Sequence, residues 1–180
     1  MRIGLDLDGV IVDSVPNWIR ILNTQFGSNY GPDDLPDTHG TPEMAAFCDD
    51  HLIELLLPNR PMAGAVEAVS RLRREGHELV VITARSQCVR RLTEAWLEFY
   101  GFQVDELHCL EGADKAAAAR ATGIDVLVED TPKNALAVAG AGVPVLLFGA
   151  PYNRDVRHPL IERCEDWAEV LARVGVRKAG

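Results

Sequence analysis

The stretch Ile3-Gly4-Leu5-Asp6-Leu7-Asp8-Gly9-Val10-Ile11-Val12 decides how the rest of the chain is read. Apolar residues flank two aspartates spaced two apart. Ile3–Leu7 reads as a short strand, and its continuous apolar character marks a strand covered on both faces of a parallel sheet. Strand alternation would send Asp6 and Asp8 to the same side. In such a sheet the carboxyl ends of the strands form the ligand crevice. Two carboxylates at that edge repel unless a cation or a proton lies between them. Leaving them unpartnered among apolar neighbours is costly.

Outward from that strand the pattern repeats. Leu79–Thr83, Leu107–Leu110, Val126–Glu129 and Val143–Phe148 read as further strands. Helical spacing fills the gaps at Ala65–Glu75, Gln87–Tyr100, Asp114–Ala121, Lys133–Ala139 and Asp166–Val174. Gly76, Gly101 and Gly123 stand where helices end, as a left-handed terminating residue requires. Strand and helix in alternation with short links predict an α/β fold, a doubly wound, Rossmann-like parallel sheet. Ser14–Pro61 breaks the rhythm. Helical pieces at Val15–Phe26 and Pro42–Leu57 flank a Gly- and Pro-rich segment, Gly27–Gly40. The expected division is a core of residues 1–13 and 62–180 with a small helical insertion, 14–61.

Length and composition exclude several classes. A chain of 180 residues with 47% hydrophobic and 25% charged residues is ordinary globular material. It can fold without a disulfide or metal staple. The net charge of −9 argues against a broad nucleic-acid or anionic-membrane surface, which needs clustered Lys and Arg. A small anionic ligand held by a few local cations stays compatible. No apolar run approaches a membrane span of ~18 residues, and the start of the chain has no leader pattern. Cys48, Cys88, Cys109 and Cys164 are widely spaced and form no C-x-x-C, so four reduced thiols and a cytoplasmic location are expected. Cys48 and His51 share a helical spacing, but two ligands without a second pair do not make a zinc site.

The same sheet edge recurs along the sequence. Thr83 closes the second strand and is followed by Ala84-Arg85. Lys115 opens the helix after the third, against the helix dipole. Glu129-Asp130 closes the fourth, before Thr131-Pro132. Singly these read as β-propensity, a solvated charge and an N-cap. Together they bring carboxylates, a hydroxyl and an ammonium to one crevice, which suits a hard cation and a phosphoryl group.

With Asp6-x-Asp8-Gly9-Val10, Thr83, Lys115 and Glu129-Asp130 in that order, the chain resembles the haloacid dehalogenase-like (HAD) phosphohydrolase superfamily. Within it, Pro61–Val66, Gly76–Arg85, Glu129–Ala135, Pro151-Tyr-Asn-Arg154 and Asp166-Trp167-Ala-Glu-Val resemble the cytosolic-type 5′(3′)-deoxyribonucleotidase branch and its bacterial relatives. The resemblance implies Asp6 as nucleophile and Asp8 as general acid and base. It implies Mg²⁺ held by Asp6, the main-chain carbonyl of Asp8 and Asp130. Thr83, Ala84 and Lys115 would bind the phosphoryl group. Glu129 stands where many members of the branch have Asp, so the longer acid would reach metal through water. The insertion resembles the superfamily's cap, with Trp18 and Phe47 as candidate substrate contacts or cap packing. Arg85 and Arg154 are candidate phosphate or sugar contacts.

The implied activity is a Mg²⁺-dependent phosphomonoesterase on a nucleoside 5′-monophosphate. A phosphatase of a sugar phosphate or another small metabolite is the rival within the class. The partner is then a small phosphorylated metabolite, with no nucleic-acid polymer and no membrane, and a homodimer is left open. A receiver domain also uses Asp, Thr and Lys, but its Lys follows its acids, whereas Lys115 precedes Glu129-Asp130. A non-catalytic binding protein would be favoured by loss of Asp6, Asp8 or Asp130, and all are present.

Overall fold

The computed structural model describes residues 1–34, 47–48 and 50–179. Five strands carry the reading above: β1 Arg2–Leu5, β4 Glu78–Thr83, β5 Glu106–Cys109, β6 Val126–Glu129 and β7 Val145–Phe148. A sixth, β8 Ile161–Cys164, extends the sheet at its edge. The order is β5-β4-β1-β6-β7-β8, with all neighbours parallel. From β1 the chain runs outward through β4 to β5, then crosses back to β6 and runs outward through β7 to β8, so the sheet is doubly wound and the crevice opens beside β1.

Alternate residues of each strand face opposite helical layers. Leu79, Val81, Val126, Val128, Leu146 and Phe148 join one core, with α3 Ala65–Arg74, α4 Arg90–Phe99 and α7 Trp167–Ala179. Val80, Ile82, Leu127, Val145 and Leu147 join the other, with α5 Lys115–Thr122 and α6 Pro132–Gly140. Ala116, Ala119, Ala135 and Ala139 keep this second layer close. Gly4 shares that closeness: a Cβ there would lie 2.5 Å from Ile124 Cδ1.

The sequence reading differs from the structure in local ways. The ladder of β1 ends at Leu5, not Leu7. β7 starts at Val145 rather than Val143, because Pro144 has no N–H to give a ladder. Gln87–Tyr100 is not one helix: Gln87–Val89 forms a 3₁₀ turn before α4, and the Ser86 hydroxyl accepts from Cys88 N at 3.3 Å. β8 escapes a search for apolar runs because Ile-Glu-Arg-Cys buries only Cys164 fully.

Between β1 and α3 lie α1 Val15–Phe26 and α2 Leu52–Leu56. Their apolar side chains form a third cluster of Ile21, Leu22, Phe47 and Leu55, with Trp18 and Cys48 at its margin. Of the expected helix Pro42–Leu57, residues 42–46 and Asp49 fall outside the described residues, as do residues 35–40 of the turn-rich segment. The chain leaves and re-enters the core through a short antiparallel ribbon, β2 Val12–Asp13 with β3 Arg60–Pro61. Two buried indoles pin the crossings: Trp167 Nε1 donates to Val10 O at 3.1 Å, and Trp96 Nε1 to Asn59 O at 3.0 Å. Among the described residues no helix is long and apolar enough to cross a membrane. None of the four cysteines forms a disulfide among the described residues.

Candidate active site

After Leu5 the chain keeps one more sheet contact, Asp6 N to Val128 O at 2.9 Å, then wraps around the Leu7 carbonyl. Ile11 N and Val12 N both donate to that carbonyl, at 2.9 and 2.8 Å. Asp8 therefore sits on a turn, and the turn rather than strand alternation sets its direction. Gly9 makes the turn possible twice over. Its φ is +80°, and a Cβ there would lie 2.1 Å from Asp130 Oδ2.

Four charged side chains meet at the ends of β1 and β6 and the start of α5. Lys115 Nζ is 2.9 Å from Asp6 Oδ2 and 2.7 Å from Glu129 Oε2. Asp6 Oδ1 accepts from Leu7 N at 2.7 Å. Glu129 Oε1 accepts from Thr131 N at 2.8 Å, so both oxygens of that fully buried carboxylate are engaged. Ligand atoms of Asp6, Glu129 and Asp130 lie within 4.8 Å of one another. One ammonium faces three carboxylates, and all four groups are buried.

The electrostatic consequences follow. Burial and the Glu129 charge push the Asp6 carboxyl well above the usual carboxylate range, although Lys115 pulls it down. Burial and Glu129 likewise push Asp130 up to about 7. For Glu129, burial is outweighed by Lys115 and the Thr131 N–H, and the carboxyl sits below its ordinary value. Lys115 is raised, because Asp6 and Glu129 overcome its own desolvation. This site is short of positive charge. Two unit charges ~4 Å apart interact by about 4 kcal/mol at a near-surface dielectric, so a cation would relieve a large repulsion.

Asp8 occupies a different setting. Arg85 grips it with both ends of the guanidinium, Nε to Oδ2 and Nη2 to Oδ1, each at 2.8 Å. Arg85 is itself buried, and its Nη1 reaches Thr93 Oγ1 at 3.2 Å. Burial would raise the Asp8 carboxyl, but Arg85 and Ser14 hold it below its ordinary value. Thr83 is buried beside this pair, and its Oγ1 accepts from Arg85 N at 3.2 Å. Ala84 lies on the turn between them, with its carbonyl accepting from Gly112 N.

The structure thus brings Asp6, Lys115, Glu129 and Asp130 together, with Asp8, Thr83, Ala84 and Arg85 at the neighbouring strand ends. The remaining candidates lie elsewhere. Phe47 is buried in the insertion's own cluster, its ring 5.3 Å from Phe26 and 4.8 Å from His51. Trp18 is half-buried at the margin of that cluster. Arg154 forms an ion pair with Asp33 and joins the Pro151–Asn153 turn to the Pro32–Asp34 turn of the insertion. A groove of about 940 Å³ runs along the edge strand β5 between Arg90, Glu94, Glu98 and His108, away from the carboxylates.

Sequence reasoning passed over Tyr152 and Asn153, although it singled out the Pro151–Arg154 segment that holds them. The Tyr152 hydroxyl donates to Asp130 Oδ2, and Asn153 Nδ2 donates to Asp130 O at 2.6 Å. Thr93, which backs Arg85, had no signal, since nothing in a helix interior marks a distant guanidinium.

The chain is 28% identical over 180 residues to a provisionally named nucleotidase of Halalkalibacterium halodurans, covering 96% of this chain and 92% of that protein. It is 27% identical over 181 residues to a nucleotidase of Clostridium acetobutylicum, covering 97% and 93%. Its fold is similar to that of a haloacid dehalogenase-like family hydrolase of Streptococcus pneumoniae, with TM-score 0.62, 19% identity and coverage of 96% and 97%. The family model described as "5' nucleotidase, deoxy (Pyrimidine), cytosolic type C protein" matches residues 1–179, so the chain belongs to that family and is a phosphatase of the HAD superfamily.

Proposed function

We propose that the protein is a Mg²⁺-dependent phosphomonoesterase that passes a phosphoryl group through Asp6, with a nucleoside 5′-monophosphate, in particular a deoxyribonucleotide, as substrate. The observation that carries this reading is the pairing of unlike aspartates: Asp6 buried in a cluster short of positive charge, Asp8 held by Arg85.

The donor set fits Mg²⁺. It is all oxygen, it comprises few carboxylates, and its repulsion keeps Asp6 and Asp130 above their ordinary range. Asp6, Asp130 and the main-chain carbonyl of Asp8 would hold the ion. Glu129, with both oxygens occupied by Lys115 and Thr131, would act through water. When bound, the ion supplies charge neutralisation at the phosphoryl oxygens.

The chain's own residues then divide the work. An Asp6 oxygen forms the bond to phosphorus as the bond to the leaving oxygen breaks; Asp8, ionised against Arg85 in this structure, would leave that guanidinium, take up a proton from solvent and pass it to the leaving oxygen. Asp8 next takes a proton from water, whose oxygen attacks phosphorus. Inorganic phosphate leaves, and the Asp6 carboxylate is restored. Lys115 offsets the charge of nucleophile and phosphate, while Thr83 and Ala84 position the phosphoryl group. Arg85 grips Asp8, and Arg154 is taken up by Asp33, so neither is assigned to phosphate. Residues 14–61 serve as a cap on the core of 1–13 and 62–180. Trp18, half-buried at the margin of the cap cluster, is the aromatic proposed to meet a base, and Phe47 packs the cap.

A phosphate-release screen over nucleoside monophosphates and sugar phosphates, with and without Mg²⁺, tests the proposal. It expects Mg²⁺-dependent release, fastest with a nucleoside 5′-monophosphate. Preference for a sugar phosphate would overturn the substrate class, and equal rates in chelator would overturn the metal.

A further inference from the structure

We propose that Tyr152 and Asn153 are positioning residues for the metal-binding carboxylate: the loop after β7 grips Asp130 by side chain and main chain at once. This rests on the metal reading of the site given above. Asp130 lies just past the end of β6, where sheet hydrogen bonds no longer fix it, and Glu129 next to it repels it. It is buried and packs against Gly9, where a Cβ would lie 2.1 Å from its Oδ2.

The restraint comes from the neighbouring loop. The Tyr152 hydroxyl donates to Oδ2 of Asp130 and takes up that oxygen on one side. Asn153, 1% exposed, uses its amide nitrogen twice, toward Asp130 O at 2.6 Å and Phe148 O at 2.8 Å. Its amide oxygen accepts from Ala150 N at 3.0 Å and from Arg163 Nη1 on β8. The Arg163 contact fixes which way the amide points, because a guanidinium has no acceptor. Through one side chain the ends of β6, β7 and β8 are tied together. Hydrogen-bonded partners of this kind orient a ligating carboxylate, and losing them typically costs about 10–100-fold in metal affinity.

The test is calorimetric titration of Mg²⁺ into wild type, Tyr152→Phe and Asn153→Asp, with circular dichroism of each metal-free protein. Asn153→Asp keeps the shape but turns a donor facing two carbonyls into an acceptor. The expected result is about 10–100-fold weaker Mg²⁺ binding in both variants, with phosphatase kcat recovering at saturating Mg²⁺ and KM for the phosphate ester unchanged. If Asn153→Asp does not fold, Tyr152→Phe decides, since it deletes one hydroxyl and keeps the ring. Wild-type Mg²⁺ affinity in the folded variants would overturn the positioning role while leaving the proposed function standing. Failure of wild type itself to bind Mg²⁺ would overturn the metal reading instead.

Discussion

The crevice and the insertion proposed as a cap are built on opposite terms. In the crevice, Asp6, Glu129 and Asp130 are buried against a single ammonium, and the carboxyls of Asp6 and Asp130 stay raised because Lys115 and Tyr152 do not outweigh burial and the Glu129 charge. In the cap, Ile21, Leu22, Phe47 and Leu55 satisfy one another, and the ring of Phe47 meets Phe26 and His51. One region gathers buried like charge around a single ammonium; the other is apolar packing. Buried charge without a partner is expensive enough to demand a function. An aromatic inside an apolar cluster demands none.

This contrast can be broken at its strongest point first. Asp6→Asn keeps the shape and removes the nucleophile, so Mg²⁺-dependent hydrolysis of an aryl phosphate is expected to vanish in a steady-state assay. Next comes Asp8→Ala, expected to slow turnover by about 10²–10⁴-fold while Mg²⁺ affinity by calorimetry holds, since only the main-chain carbonyl of that residue is assigned to metal. A large loss of affinity would merge the two aspartates into one role.

On the cap side the effects are smaller and selective. Trp18→Ala is expected to lower kcat/KM for a nucleotide by about 5–150-fold, the worth of ~1–3 kcal/mol of stacking on a base, and to spare a simple aryl phosphate. Phe47→Ala should instead destabilise the cap by about 3–5 kcal/mol, as other buried Phe truncations do, and show in thermal melts. Equal losses on both substrates with Trp18→Ala would remove the cap from substrate reading.

The smallest effect sharpens the electrostatic half. Asp6 and Asp130 have carboxyls raised in the folded state, so between about pH 4 and 7 the folded protein holds more protons than the unfolded chain. Their contribution to stability therefore falls as pH rises through that window. Mg²⁺ needs the deprotonated carboxylates and stabilises only the folded form, by about 2.7 kcal/mol at a hundred times its dissociation constant. The rise in Tm on adding Mg²⁺ should be several degrees at pH 8 and nearly absent at pH 5. An equal rise at both would contradict the assigned ligands.

What was legible in the sequence follows the same division. The strand ends were readable because Asp6, Thr83, Lys115 and Glu129-Asp130 each follow an apolar run or open a helix, and charges are seldom placed there without a partner. The sheet was readable for its covered strands and not for β8, whose exposed edge needs no apolar run. The bond from Arg85 to Asp8 was invisible, since the two are 77 residues apart and pair through a turn whose course no periodicity reveals. Tyr152 and Asn153 reach Asp130 through side-chain hydrogen bonds from a neighbouring loop, and their types recur in any 3₁₀ turn. Phe47 offered the same helical spacing whether it met a base or a neighbour.

The central claim is a covalent one, and acid quenching of the enzyme during turnover of a ³²P-labelled nucleoside monophosphate with Mg²⁺ tests it most directly. The account predicts label on the peptide that contains Asp6, lost on mild base treatment as an acyl phosphate is, and absent from Asp6→Asn. Label on any other residue, or rapid turnover with none, would contradict it.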